Sequence, residues 1–574
     1  MQVKSFILRE EESWKSLRTN LPYPLLAVFV ALLLNLNCTS PEAIGKLDGA
    51  VKPQRIRAHL KILSDDMMEG RAPGSRGGEL AAKYIASQFE EAGLLPAIGD
   101  SSYFQNVQLI GVKHIPRLTL SGAGRTWRLN RGTDFVGVTK IEQPVVSIRN
   151  KQLVFMGYGV DASEFDWNDY ANMDVTGKVL LILVNEPQSE NEKFFGGKAL
   201  TYYGRWTYKY EEAARKGADG VILIHTTPLA GYGWNVVQNS RSREQFFVRS
   251  PVGAKQLAFR GWITKEKTEE VLNAAGLNLD DLISRANSAS FNPIELPIRV
   301  NASVNTQFRT IESPNVIGKF LGSDPGLEDE CILYTSHYDH LGKNESQSGD
   351  GIFNGAFDNA SGTAALIEIA RAFTEISFKP KRTILFAAVT AEESGLLGSQ
   401  FYAQSPVIPL AKTAANINID AVNVWGKTRN IIPLGAERST IMDVVKRVAM
   451  EMNMEISPDP MPEQGFFFRS DQFSLVKAGV PAVYLDGGLK FVGKPEGWGQ
   501  KLLDDYIKNR YHGVEDEYDP SWSLEGTAQV AQFALKTGLY LANKPTMPEW
   551  HDGDPFKKIR EKSIAEIEAK VKNQ

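Results

Sequence analysis

Seven polar residues stand out for the chemistry they could do: His337, Asp339, Asp358, the adjacent pair Glu392 and Glu393, Asp420 and His512. Carboxylates gathered in one place repel and raise each other's pKa unless a cation compensates them. Imidazole mixed with carboxylate, with no thiolate cluster in the chain, suits Zn²⁺, with Mn²⁺ or Co²⁺ as alternatives. The donors outnumber the three or so protein ligands of one catalytic zinc. Two ions sharing a bridging carboxylate, about 3.5–4 Å apart, fit the number. Taken singly, each residue has an ordinary structural reading. Asp358 before a helix suits the helix dipole, Glu392–Glu393 reads as a solvated strand end, and a lone His after a strand as a structural histidine. The weight lies in their placement together.

That placement follows from the elements between them. From about residue 312, apolar runs alternate with helical periodicity: CILYTS, the helix SGTAALIEIARAF, TILFAAVT, ANINID and AVYLD. Strands that read as continuous apolar runs between helices predict an α/β fold with a mixed, mostly parallel sheet flanked by helices. His337 ends the first strand, Glu392 and Glu393 follow the second, and Asp420 ends the third. Ligand sites in such sheets lie beyond the carboxyl ends of the strands. His340 is left as an outer residue of the site or a surface one. His59, His114, His225 and His551 have no carboxylate partners in a matching pattern and read as structural. Residues 53–94 read as two helices around the turn EGRAPGSRGG. Residues from about 130 to 305 change texture to short apolar runs between Gly/Asn/Asp turns, which favours strands.

The motifs H-Y-D-H-L-G (337–342), F-D-N-A-S-G (357–362), A-E-E-S-G-L-L-G-S (391–399), N-I-D (418–420) and Y-H (511–512) resemble, in the same order, the family of dizinc aminopeptidases and glutamate carboxypeptidase. The resemblance implies an exopeptidase acting on peptide substrates with two Zn²⁺. Asp358 would bridge the ions, His337 and Asp420 would complete one site, and Glu393 and His512 the other. Glu392 would be the general base for the attacking water, Asp339 would orient His337, and Tyr511 would donate to the oxyanion. One departure is Arg469-Ser470-Asp471-Gln472, where the family often has Ser-Asp-His. Gln472 cannot supply that imidazole, which is expected to touch the pocket and spare the metals. The segment LVFMGYGVDASEFDWNDYANMDVTGKVLLILVNEP with EEAARKGADGVILIH resembles a β-rich protease-associated domain, implying an insert that shapes or covers the cleft.

The expected organisation is a leader over 1–44, a catalytic domain over 45–130 plus 305–545, the insert over 131–304, and a charged C-terminal tail over 546–574, read as a solvated helix. In the leader, Lys4, Arg9, Lys15 and Arg18 precede the apolar run Leu25–Leu36, too short to span a bilayer, which takes about 20 residues. Cys38 follows in a pattern resembling a bacterial lipoprotein signal. An exported, envelope-located enzyme is expected, touching a membrane only through the leader or a lipid on Cys38. The chain has 574 residues, a formal charge of −4 and two cysteines. That balance and the lack of a basic run with aromatics argue against nucleic acid. Cys331, left alone in the folded body, reads as an inert core thiol, and Phe466–Phe468 as loop packing. The resemblance leaves an aminopeptidase as the main reading. A glutamate-type carboxypeptidase, with Arg469 or Arg510 gripping a carboxylate, a glutaminyl cyclase and a non-catalytic binding module remain beside it.

Overall fold

The computed structural model describes residue 44 and residues 47–249, 253–345 and 347–572. The expected leader and Cys38 lie outside the described residues. Helix α1 (Pro53–Leu63) starts with proline in its first turn and buries Ile56, Leu60 and Leu63, one face of a 3.6-residue repeat. Helix α2 (Arg76–Glu91) is capped by Ser75, whose hydroxyl accepts the Gly78 N–H, and buries Ala81, Ala82, Ile85 and Phe89. The long strand β1 (Phe104–Gly122) follows.

The next part of the chain builds a second lobe. Strands β2 (Phe135–Val138), β3 (Val145–Phe155) and β4 (Val179–Leu183) are followed by helix α3 (Trp206–Arg215), β5 (Gly220–His225), helix α4 (Trp234–Arg241) and β6 (Phe259–Thr264). β3, β4, β5 and β6 pair in parallel. Alternation along β4 divides its side chains between two layers. Val179, Leu181 and Leu183 join one hydrophobic cluster, and Leu180 and Ile182 another.

Strand β7 (Ile294–Phe320) then returns to the first lobe, leading into β8 (Cys331–His337), helix α5 (Ser361–Glu375), β9 (Thr383–Val389), β10 (Thr413–Asn418), β11 (Asn430–Leu434), helix α6 (Gln472–Lys477), β12 (Ala482–Gly487) and helices α7 (Trp498–Asn509), α8 (Glu525–Asn543) and α9 (Pro555–Lys572). One sheet runs β11–β12–β10–β8–β9–β7–β3–β4–β5–β6–β2. β9, β8, β10 and β12 are parallel, and β7 joins β9 antiparallel. α5 is buried from Ser361 to Phe373 and shares a core with Tyr334, Phe386 and Leu535. This is the mixed, mostly parallel sheet with flanking helices that the apolar runs predict. Cys331 is buried and unpaired, its thiol pushed up to about 12 by burial.

Two features differ from the sequence reading. β7 pairs with β3 at its start, with β1 from Ile298 to Val316, and with β9 at its end. The expected boundary at 304/305 therefore falls inside an unbroken strand. The tail is also docked. The Arg560 guanidinium in α9 is buried and donates to the carbonyls of Leu410 (2.6 Å) and Thr413 (3.0 Å), and Trp550 donates to Gly479 O at 2.9 Å. Among the described residues, no helix is long and apolar enough to cross a membrane.

Candidate metal centre

The central parallel strands end at one edge, and the polar residues follow from that. His337 is the last residue of β8, Glu392 and Glu393 lie three and four residues past the end of β9, and Asp420 lies two past β10. Asp358 occupies the short turn before α5, and His512 the loop after α7. All but Glu392 and Glu393 are buried, with those two half-buried.

The side chains converge. His337 Nε2 lies 3.3 Å from Asp358 Oδ1 and 3.2 Å from Asp420 Oδ1. His512 Nε2 lies 3.4 Å from Asp358 Oδ2 and 3.0 Å from Glu393 Oε2. The two oxygens of Asp358 thus face two imidazoles delivered from segments far apart in the chain. His340, far from being a surface residue, is buried with Nδ1 at 2.6 Å from Glu393 Oε1. Two donor groups result, His337–Asp358–Asp420 and His340–Asp358–Glu393.

The charges are strongly coupled. Burial opposes ionisation of Asp358, yet the His337 and His512 contacts hold it well below the usual carboxylate range. Glu393 is held down to about 2; burial opposes this and His512 enforces it. The same carboxylates raise His512 to about 9 against burial. Glu392 behaves oppositely: burial, then Glu393, Asp471 and Asp420, push it well above its ordinary value. His340 Nε2 is buried without a hydrogen bond, and imidazole with carboxylate is the N/O donor set that zinc takes. The residues fit that ion.

Several supports escaped the sequence reading. Asp516 accepts the backbone N–H groups of Phe357 (2.9 Å) and Asp358 (3.0 Å), fixing the turn that carries Asp358. Arg71, within the turn read only as a breaker, is fully buried. It donates to the carbonyls of Tyr338 (2.8 Å), Asn354 (2.6 Å) and Gly355 (3.0 Å), tying the loops after β8 and before α5 together. Ser470 donates to Asp420 Oδ2 and accepts from Asn418 Nδ2 at 2.8 Å. From the second lobe, α4 supplies Ser240 Oγ at 2.8 Å from His512 Nδ1, and Asn239 donates to His512 O at 3.0 Å. None of these has a spacing signal, since each is one polar residue reaching a distant segment.

Asp339 works differently from the expectation. The nearest acceptor to His337 Nδ1 is the Asp339 main-chain carbonyl, at 3.2 Å, while its carboxylate stands 3.8 Å away. That carboxylate instead accepts the Glu392 N–H at 3.0 Å. It therefore tethers the strand end that carries both glutamates. Gln472 is buried in α6 and donates to Phe467 O at 2.7 Å, away from the cavities. Of the two arginines considered for gripping a carboxylate, Arg469 lines the site and Arg510 does not.

Two cavities meet at the donors. A small one, about 140 Å³, lies among Trp425, Ile432, Leu434, Phe491 and Tyr506 and reaches His337, Asp358 and Asp420. A larger one, about 810 Å³, opens between the lobes. Glu392, Tyr511, His512 and Arg469 line both. Phe466 faces the small cavity and Phe468 the large one, so the aromatic run contributes walls as well as packing. Tyr511 stacks beside His512, ring centroids 4.1 Å apart.

Residues 315–568 match the family model described as Peptidase family M28, a span that holds every donor from His337 to His512. A glutamate carboxypeptidase 2 homolog of Caenorhabditis elegans is 30% identical over 209 residues, 34% of this chain and 25% of that protein. Leucine aminopeptidase 2 of Arthroderma otae is 28% identical over 260 residues, 44% of this chain and 48% of that one. The chain thus spans about a quarter to a half of these curated relatives. Among solved structures, an aminopeptidase from Aneurinibacillus sp. strain AM-1 aligns with a TM-score of 0.50 at 20% identity, covering 90% of this chain and 99% of that one, a likeness of fold.

Proposed function

From the match of residues 315–568 to peptidase family M28, we propose that this chain is an exported zinc exopeptidase, an aminopeptidase holding two ions. The observation that carries the reading is the Asp358 carboxylate, with one oxygen facing His337 and the other His512. Such a bridge suits a pair of dications, with His337 and Asp420 on one side and Glu393 and His512 on the other. Zinc bound there would polarise the substrate carbonyl and lower the pKa of water.

The chain's own residues supply the rest. Glu392 makes no ion pair among the described residues and lies where both cavities meet, which suits a base that takes a proton from the attacking water. The water oxygen bonds to the peptide carbon, the C–N bond breaks, and Glu392 passes the proton to the leaving amine. Tyr511, beside His512, is placed to donate its O–H to the oxyanion. Its phenol is held protonated, first by burial and despite Arg469. The small cavity suits one terminal residue and the large one the remainder of the peptide. The leader reading supports export.

The test is metal analysis together with hydrolysis of a panel of aminoacyl and C-terminal peptides. Release of N-terminal residues by the zinc-loaded chain is expected, and its loss to a chelator. Release only from the C-terminus would favour a glutamate-type carboxypeptidase, ring closure of N-terminal Gln a cyclase, and a loaded but inert chain a binding module.

A further inference from the structure

The large cavity carries an excess of positive charge. Its wall from the second lobe presents Lys140, Arg205, Arg241 and Arg260, and the first lobe adds Arg469. None of these five makes an ion pair among the described residues, in a chain whose formal charge is −4. The acids on the same wall are Glu211, which accepts the Tyr202 hydroxyl at 2.7 Å, and the metal-centre pair Glu392 and Glu393.

Four of the five cations lie over rings. Arg241 lies 4.2 Å over Trp206, Arg260 4.4 Å over Tyr210, Arg469 5.1 Å over Tyr232, and Lys140 4.7 Å over Phe247. Stacking fixes the plane of a guanidinium and leaves its N–H edge to bond elsewhere. Arg241 uses one edge on Gln245 Oε1 at 3.0 Å, while Arg260 Nε is buried with no partner at all. Burial, then Arg260 and Arg241, draw Lys140 down to about 7 against the opposing pull of Glu211, as expected where cations outnumber acids in a partly dry space. Half-buried cations without ion-pair partners are unfavourable by themselves and become favourable when a ligand brings the anion.

We infer that this chamber binds carboxylates of the substrate peptide beyond the scissile bond. The reading rests on the proposed peptidase function, because the chamber shares Glu392, Tyr511 and His512 with the small cavity, so its occupant is continuous with the bond that is cut. A cavity of about 810 Å³ holds several residues. Its carboxylates come from acidic side chains or from the C-terminus of a short peptide. Arginine is suited to both through paired N–H donation.

Four peptides separate the sources: Leu-Glu-Glu, Leu-Glu-Glu-amide, Leu-Gln-Gln and Leu-Gln-Gln-amide. With the zinc-loaded chain, kcat/KM is expected to be about tenfold higher for Leu-Glu-Glu than for Leu-Gln-Gln-amide, with the advantage shrinking as salt is added. The two intermediate peptides assign the effect to side chain or terminus. In Arg241→Gln/Arg260→Gln, or in Arg241→Gln alone if the double variant does not fold, the ratio should fall towards one. Hydrolysis of all four peptides at equal kcat/KM would overturn the chamber and leave the peptidase reading standing. Binding, measured by calorimetry, decides the matter independently of turnover. Triglutamate should bind about tenfold more tightly than triglutamine, and equal affinity would overturn the inference even if the chain cleaved nothing.

Discussion

Ser240 Oγ lies 2.8 Å from His512 Nδ1, although the two residues come from different lobes and are 272 positions apart. The hydroxyl also donates to Val236 O at 2.8 Å, so its own proton is spoken for and it presents a lone pair to the ring. That keeps a proton on Nδ1 and makes Nε2, which faces Asp358 and Glu393, the nitrogen that would be given to an ion. Outer hydrogen bonds of this kind set the tautomer and orientation of a metal-binding histidine. Ser240→Ala should weaken zinc binding by about tenfold in competition with a chelator, and Ser240→Thr should restore it. An unchanged binding constant in Ser240→Ala would remove Ser240 from this role.

Glu392→Gln keeps the shape of the side chain and removes its capacity to take a proton. Turnover of a peptide substrate should fall by about 10²–10⁴-fold, with zinc content per chain unchanged. A variant within a few fold of wild type would mean that another group accepts the proton.

Asp358→Asn replaces the carboxylate that faces both imidazoles. Loss should extend to the whole metal complement, seen as a zinc stoichiometry far below that of wild type after dialysis. Retention of one tightly held ion would show that the two donor groups load independently of Asp358.

His59 gives a pH dependence of stability. Burial pulls its pKa from 6.5 to about 4, and Nδ1 lies 2.8 Å from the Tyr84 hydroxyl, which can donate only to a neutral ring. Between those values the unfolded chain binds the proton more readily than the folded one, so stability falls as pH drops from 6.5 towards 4. In urea titrations, His59→Phe should show a shallower loss over that window. Parallel curves for the two proteins would refute the assignment.

The strands and the convergence of the candidate donors were legible because two signals coincide at the same places. Apolar runs such as Cys331–His337 and Thr383–Val389 break off at polar residues, and a sheet edge gathers those ends. The remainder lacked any periodic trace. Arg71, Asp516 and Ser470 act through single bonds to backbone or side chains that only folding brings near. The Asp339 carboxylate was assigned to His337 but binds the Glu392 amide, a choice settled by loop geometry. The expected boundary at 304/305 followed a change in texture, whereas Ile294–Phe320 alternates buried and exposed residues without a turn through that point. The charged C-terminal helix read as solvated from composition, because one buried arginine among many lysines and glutamates leaves no mark.

That arginine offers a direct check. Arg560→Ala removes two charge-assisted bonds to Leu410 and Thr413, and should destabilise the chain by about 3 kcal/mol. Denaturant melts that superimpose on wild type would show that α9 contributes no docking energy.

The antiparallel pair of β1 and β7 acts as a beam welded at both ends. Nineteen successive rungs join the two strands, and β7 is bonded to β3 at one end and β9 at the other. A joint made of free peptide links would let the second lobe swing. Here any gape of the cleft must flex a hydrogen-bonded girder. The span between the arginine wall and the candidate donors is therefore bridged by a continuous ladder, and widening it would require that ladder to bend.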